Sequence, residues 1–243
     1  VRVHGQQPEA ERRQPGHHPE PPHDRGPSTH PEHGDRPQSL EQAEGDEEGL
    51  ISLYRNATQM VAVIAIPACL VLAFFAEQIL WAWTGDAHAA TQAAPVLRLY
   101  ALGNGFLAMS AFPYYLQFAK GDLKLHMIGN VLFLLLLIPS LVWATWKFGV
   151  MGAGYAWLGS NAVYFFAWVP MVHRRFVKGL HRQWLVQDLG RIALPSIAVA
   201  SLLFCIVTWP QGRLNILLII GMTSAIAIVA GATGFELFRH KFL

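Results

Sequence analysis

Carboxylates are scarce over most of this chain. Of its 16 Asp and Glu residues, 11 precede Leu50, and only Glu77, Asp86, Asp122, Asp188 and Glu236 follow. Cysteine is scarcer still. Cys69 and Cys205 are the only two and both lie in apolar runs, which excludes a disulfide framework and a cysteine-based metal site. Charged residues are 14% of the 243, where a soluble domain carries about a quarter, so the composition argues against a soluble globular protein. Residues 1–36 hold no apolar run of the kind a signal peptide needs. The net charge of +2 averages an acidic head and a basic body, so it does not point to a nucleic-acid partner.

What is present is hydrophobicity in long blocks. Six apolar stretches fill the chain from Ala57 to Phe238, at about 57–75, 93–118, 125–145, 150–172, 192–209 and 214–238. A helix crosses a bilayer with about 20 apolar residues, so the chain reads as an all-α membrane protein with about six transmembrane helices. Runs such as "VLFLLLLIPSLVWATW" lack period-two alternation, which excludes a membrane barrel. The head, 1–44, is rich in His, Pro, Gln and Arg and is expected to be disordered. Its His17, His18, His23, His30 and His33 match no zinc spacing, and no metal or cofactor is expected. Its composition also resembles a coding sequence read out of frame and joined to a genuine one near Gly45.

The joints between the stretches alternate in basic charge. The first, "TGDAHAATQ", has no Lys or Arg; the second has Lys120 and Lys124; the third has Lys147 alone. The fourth holds Arg174, Arg175, Lys178, Arg182 and Arg191, the fifth Arg213 alone, and the tail Arg239 and Lys241. Basic joints stay on the cytoplasmic side, so both termini and the second and fourth joints are expected there. Trp81, Trp83, Trp143, Trp146 and Trp209 fall at the opposite boundary, as an aromatic belt does.

Few residues in the spans can carry chemistry. Arg98 is a full charge roughly 7–8 Å inside the outer end of the second span, at 1.5 Å per residue. Two readings stand: a cation that snorkels to the headgroups, and one that lines a polar cavity and meets an anionic cargo. Glu77, near the outer end of the first span, is its candidate ion-pair partner. Asn104 and Asn130 are further cavity candidates, although amides such as these and Gln117 or Asn161 more often join helices. Pro67, Pro113, Pro139, Pro170 and Pro195 bend or end helices. Small residues recur every fourth position, as Gly152–Ala156–Ser160, Thr223–Ala227–Gly231 and Ala101–Gly105, and mark faces where helices approach closely. "GVMGAG" imitates a dinucleotide loop but follows a membrane helix, and "NAT" at Asn56 lies at the expected cytoplasmic face. No carboxylate pair or Ser–His–Asp set occurs in the spans, so no enzyme is expected.

Three passages carry a resemblance. They are "GDEEGLISLYRNATQMVAVIAIPACLVLAFFAEQILWAWTGD", "AAPVLRLYALGNGFLAMSAFPYYLQFAKGDLKLHMIGNVLF" and "WKFGVMGAGYAWLGSNAVYFFAWVPMVHRRFVKG". In this order they resemble the second half of bacterial polysaccharide (O-antigen-type) flippases of the multidrug/oligosaccharidyl-lipid/polysaccharide exporter superfamily. The resemblance covers 45–179 and implies part of the second lobe of a two-lobed helical carrier, with 180–243 adding a basic cytoplasmic joint and two C-terminal helices. It also implies a bacterial inner-membrane protein that turns undecaprenyl-pyrophosphate-linked oligosaccharide between leaflets and hydrolyses nothing. Arg98 is of the type that suits such a cargo. The chain departs from the pattern by lacking the first lobe, so a fragment, or a chain that needs a missing lobe or partner, is expected. The alternatives are a membrane scaffold or accessory subunit without transport, and a cell-envelope glycan ligase; the poverty of the outer joints, with only Asp86 and His88, weighs against the ligase.

The charge alternation makes a direct prediction. A cysteine at Ala89 will react with an impermeant thiol reagent added outside, and one at Gly179 will not; reversed labelling overturns the orientation.

Overall fold

The computed structural model describes the backbone of residues 38–209 and 212–239, and the side chains of 46–209 and 212–234. The expectations for the 1–37 head lie outside these residues. The chain divides into two units, Val1–Glu41 and Gln42–Leu243, and the helix contacts and clefts all belong to the second.

All regular structure among the described residues is helical. The elements are α1 (Gln38–Phe74), α2 (Ala76–Thr84), α3 (Ala87–Ser110), α4 (Phe112–Ala119), α5 (Lys124–Phe148), α6 (Val150–Val163) and α7 (Val169–Phe176). They continue with α8 (Leu180–Gln183), α9 (Arg191–Ile206) and α10 (Arg213–Arg239). A π-helical segment, Tyr164–Trp168, joins α6 to α7, and a second, Trp184–Gly190, joins α8 to α9. Four stretches are long and apolar enough to cross a membrane: Asp46–Phe74, Lys124–Phe148, Leu180–Ile206 and Arg213–Gly234.

The six-span expectation is therefore met only in part, and the differences have local causes. The stretch expected at 93–118 is divided at Ala111 into α3 and α4. Pro113 has no N–H to donate and sits in the first turn of α4, where that donor is not needed. The stretch at 150–172 is helical, but widens to π geometry just ahead of Pro170, whose ring opposes the carbonyl four residues back. The residues 180–191, read as a cytoplasmic joint, are helical instead. Leu180, Trp184 and Leu189 lie on one buried stripe there, which gives this basic segment an apolar face.

The first four joints each turn on one glycine with positive φ: Gly85, Gly121, Gly149 and Gly179. At the first, Gly85 ends α2 in the left-handed conformation and bonds back to Trp81 O. Asp86 then opens α3, its Oδ1 accepting from the N–H groups of His88 and Ala89 at 2.9 and 3.1 Å. Gly-Asp at this point is thus a helix stop followed at once by a helix start.

Side-chain bonds between joints reveal which ends lie together. Arg213 Nε and Nη2 donate to the carbonyls of Ala82 and Trp83 at 2.9 and 2.7 Å, which brings the first and fifth joints to one end and places a cation on the C-terminus of α2. Lys120 donates to Glu47 at 2.8 Å, and Tyr54 meets His173, which gathers the start of α1 with the second and fourth joints.

Small residues set the helix contacts. Gly152 faces the Ala144 carbonyl so closely that a Cβ there would overlap it, and α6 lies on α5 at this point. In the C-terminal pair, α9 and α10 meet at the Arg191 carbonyl, one turn before Pro195. α10 crosses there at Gly234, where a Cβ would stand 2.5 Å from that oxygen. Gly231 sits one turn earlier against Ser196 and Ile192. Thr223, Ala227, Gly231, Gly152, Ala156, Ser160 and Ala101 are all buried.

Gly152→Ala is expected to destabilise the protein by about 1–3 kcal/mol through forced separation of α5 and α6. Gly159→Ala, which meets nothing within 4 Å, should be neutral or slightly stabilising, since alanine favours the helix. Thermal unfolding in detergent compares the two; equal midpoints would refute the close contact.

Candidate functional site

Helix α3 separates two clefts, one almost wholly apolar and one whose mostly apolar lining also carries several polar side chains. The first, of about 520 Å³, lies between α1, α3 and the π segments. Cys69, Phe106, Met109, Phe165, Leu185 and Leu189 are among its almost wholly apolar walls. The Gly105 position keeps it open towards α1, since a Cβ there would reach Cys69 at 3.6 Å. The second, of about 430 Å³, lies between α3, α4, α5 and α6, with Ser110, Tyr114, Tyr115, His126, Asn130, Asn161 and Tyr164 in its lining. Here Asn130 Nδ2 and His126 Nε2 are 3.0 Å apart, and the His126 ring lies 4.5 Å from the Tyr114 ring. Asn161 Nδ2 is held by the Trp157 carbonyl at 2.8 Å. The Ser110 hydroxyl, also in the lining, is buried without a hydrogen-bond partner among the described residues, a cost normally relieved by a ligand or water.

The expected cavity residues do not converge. Asn130 lines the polar cleft. Asn104 instead accepts a bond from Trp157 Nε1 at 3.2 Å, a contact between α3 and α6. Arg98 is half-buried on α3 and lines neither cleft. It forms no ion pair with Glu77, whose Oε1 accepts from Thr91 Oγ1 at 3.0 Å. The α2–α3 turn sets Thr91 level with Glu77, whereas Arg98 is seven residues further on, roughly 10 Å along the helix.

A buried polar junction, absent from the sequence-based candidates, ties α1 to the fourth joint. Asp188, wholly buried, accepts from Arg55 Nε and Nη2, both at 2.8 Å, and from Gln59 Nε2 at 2.6 Å. Gln187 Oε1 accepts a further bond from Arg55 Nη2 at 3.1 Å. The two-pronged arginine suits a buried carboxylate, because it neutralises the charge and fills its lone pairs together. Beside it, Tyr54 Oη is 2.8 Å from His173 Nε2, and His173 Nδ1 is 3.0 Å from His181 Nδ1. Trp184, also fully buried, donates from Nε1 to Thr58 Oγ1 at 3.2 Å. The π segment 184–190 presents Trp184 and Asp188 to α1 together. The extra residue in a π turn re-aims the residues beyond it by about 100°. Burial first, and the neighbouring His181 second, push the His173 imidazole down to about 3, so it is neutral at ordinary pH.

No protein-family model, curated protein or solved structure matches this chain. The chemical reading therefore rests on the site itself. Among the described residues no three His, Cys, Asp or Glu side chains converge on a metal position. One signal pointed to the junction: Asp188 is the only carboxylate of the stretch from Leu180 to Ile206, and a single acid in such a stretch needs a cation from elsewhere.

The junction predicts an asymmetry. Asp188 is wholly buried, whereas the Arg55 side chain is 26% exposed and can recover some hydration. Arg55→Ala should therefore cost more, about 3–5 kcal/mol, than Asp188→Ala, about 2–4 kcal/mol, and the double variant should cost less than the sum. Thermal unfolding of the four proteins tests this, and strict additivity would exclude a coupled pair.

Proposed function

We propose that this chain is part of a flippase that moves an undecaprenyl-pyrophosphate-linked oligosaccharide across a bacterial inner membrane, working with a further lobe or partner chain. The observation that supports this most is the pair of clefts on either side of α3. Phe106 and Met109 face an apolar space, and Leu107 and Ser110, their immediate neighbours in sequence, face one lined by tyrosine, histidine and asparagine. A cargo with a long apolar tail and a hydroxyl-rich head needs both environments within one molecule's reach. Aromatic faces and amide side chains suit sugar rings, through stacking and paired hydrogen bonds. Both clefts open outward, in keeping with a surface completed by another lobe. The three family-like passages add to this reading, since they supply α1 to α7, the helices that wall the polar cleft and most of the apolar one. Arg98, outside both clefts, retains in this reading a role at the membrane boundary or against the missing lobe.

The reading is tested by crosslinking. The purified chain in nanodiscs is exposed to a photoreactive polyprenyl-pyrophosphate disaccharide, with a photoreactive phospholipid as control. Crosslinks from the sugar end are expected at 110–130, and from the chain end at 102–109 or 185–197. Asn130→Ala with Tyr114→Ala should reduce the sugar-end crosslinks severalfold and leave the tail-end ones. Equal crosslinking by the phospholipid control would overturn the proposal, and a scaffold role would then account better for the helices.

A further inference from the structure

Two imidazoles in contact at the fourth joint have no part in either cleft. His173, fully buried, lies in the last turn of α7; His181, half-buried, lies in the first turn of the next helix; between them the chain turns at Gly179, with φ of 87°. The two Nδ1 atoms are 3.0 Å apart, and this is a direct bond across that turn. We propose that the His173–His181 contact is a proton-operated latch on a hinge at Gly179, closed when the pair is neutral or carries one extra proton and released when it carries two. The latch stands apart from the flippase reading and does not depend on it.

The argument is proton counting. A nitrogen–nitrogen hydrogen bond holds a single proton, so one Nδ1 must donate and the other accept. In the neutral pair with His173 protonated on Nδ1, His173 Nε2 accepts from the Tyr54 hydroxyl. When one proton binds at His181, its Nδ1 becomes the donor. The His173 Nδ1 then accepts, the His173 proton resides on Nε2, and Nε2 donates to Tyr54 Oη. Both contacts survive. A second proton gives both Nδ1 atoms a hydrogen, so the bond is lost and two cations face each other about 3 Å apart, in surroundings that screen them poorly. Tyr54 can still accept from His173 Nε2. Release is thus confined to the contact across the hinge.

The neighbouring charges do not remove the penalty. From α1 come Tyr54 and Arg55; the π segment brings Asp188, but Arg55 and Gln59 already occupy its oxygens. Arg174 on α7 adds a positive charge acting on His181. α4, which packs on α7, carries no charged side chain. His173 itself is held down to about 3, below the ordinary histidine value near 6.5. A group so depressed stabilises the closed form fully above about 6.5, and that contribution falls as pH drops from there towards 3, by at most about tenfold in the closing equilibrium per pH unit.

The experiment is amide hydrogen exchange of the full chain in nanodiscs between about pH 8 and about pH 5, corrected for intrinsic exchange. Residues 177–184 should exchange at least about tenfold faster at the acid end, with the α5–α6 contact unchanged. His181→Asn keeps a polar side chain next to His173 but takes up no proton, and should weaken the acid response severalfold, leaving only the part that burial of His173 supplies. An acid response of undiminished size in His181→Asn would overturn the latch, as would a flat profile in the unaltered protein. If His181→Asn does not fold, nitrogen NMR of the unaltered protein decides. His181 should take up its proton at higher pH than His173; joint titration of the two, or the reverse order, would overturn the proposal.

Discussion

Everything in this architecture depends on the absence of water in a bilayer core, which obliges every backbone amide to find its partner inside the chain. Long helices meet that demand alone, and the exceptions reveal where the chain departs from ideal geometry. Pro195 has no N–H to donate within α9, and α10 comes close there by placing Gly234 against the Arg191 carbonyl. Pro113 splits what would have been one helix, and Pro170 comes after a widened turn. In each case a missing donor is accommodated by local geometry or by a neighbouring helix that has no side chain in the way.

Close backbone approach has a second consequence. Gly152 and Gly234 draw α6 onto α5 and α10 onto α9. Gly103 and Gly129 accept the edges of Trp157 and Trp168, which fixes α3 and α5 against the 150–168 helix. The polar cleft lies within this frame. Its aromatic and amide residues come from four helices, so its chemistry is a property of the packing and of no single segment.

The polar junction at the other side of α1 is a different device. Its members are short-range to one another only because α1 lies against a π-helical turn more than 100 residues later in the chain. A buried carboxylate with three donors, a pair of imidazoles and a tyrosine form a fastening that is specific in register: a slip of α1 by one residue would displace Tyr54, Arg55, Thr58 and Gln59 from their partners together. That is the property expected of ionic groups kept in an apolar setting, where their desolvation cost makes alternatives unfavourable.

The sequence by itself determined the helical class, four of the long apolar stretches and the glycine turns between helices. These depend on composition over tens of residues and on glycine at turns, both of which act locally. It also determined the small-residue faces, because spacing of four places them on one side of a helix. Only the tertiary structure decided which polar residues meet. Arg98, Asn104 and Asn130 share no cavity, since direction around a helix and depth along it both matter, and a break at Ala111 and two π turns re-aim the residues beyond them. Asp188 with Arg55, and His173 with His181 and Tyr54, were legible only as isolated polar residues. Asp188 and Arg55, like His173 and Tyr54, meet through helix contacts across more than 100 residues, and His173 meets His181 only through the turn at Gly179, none of which a local pattern encodes.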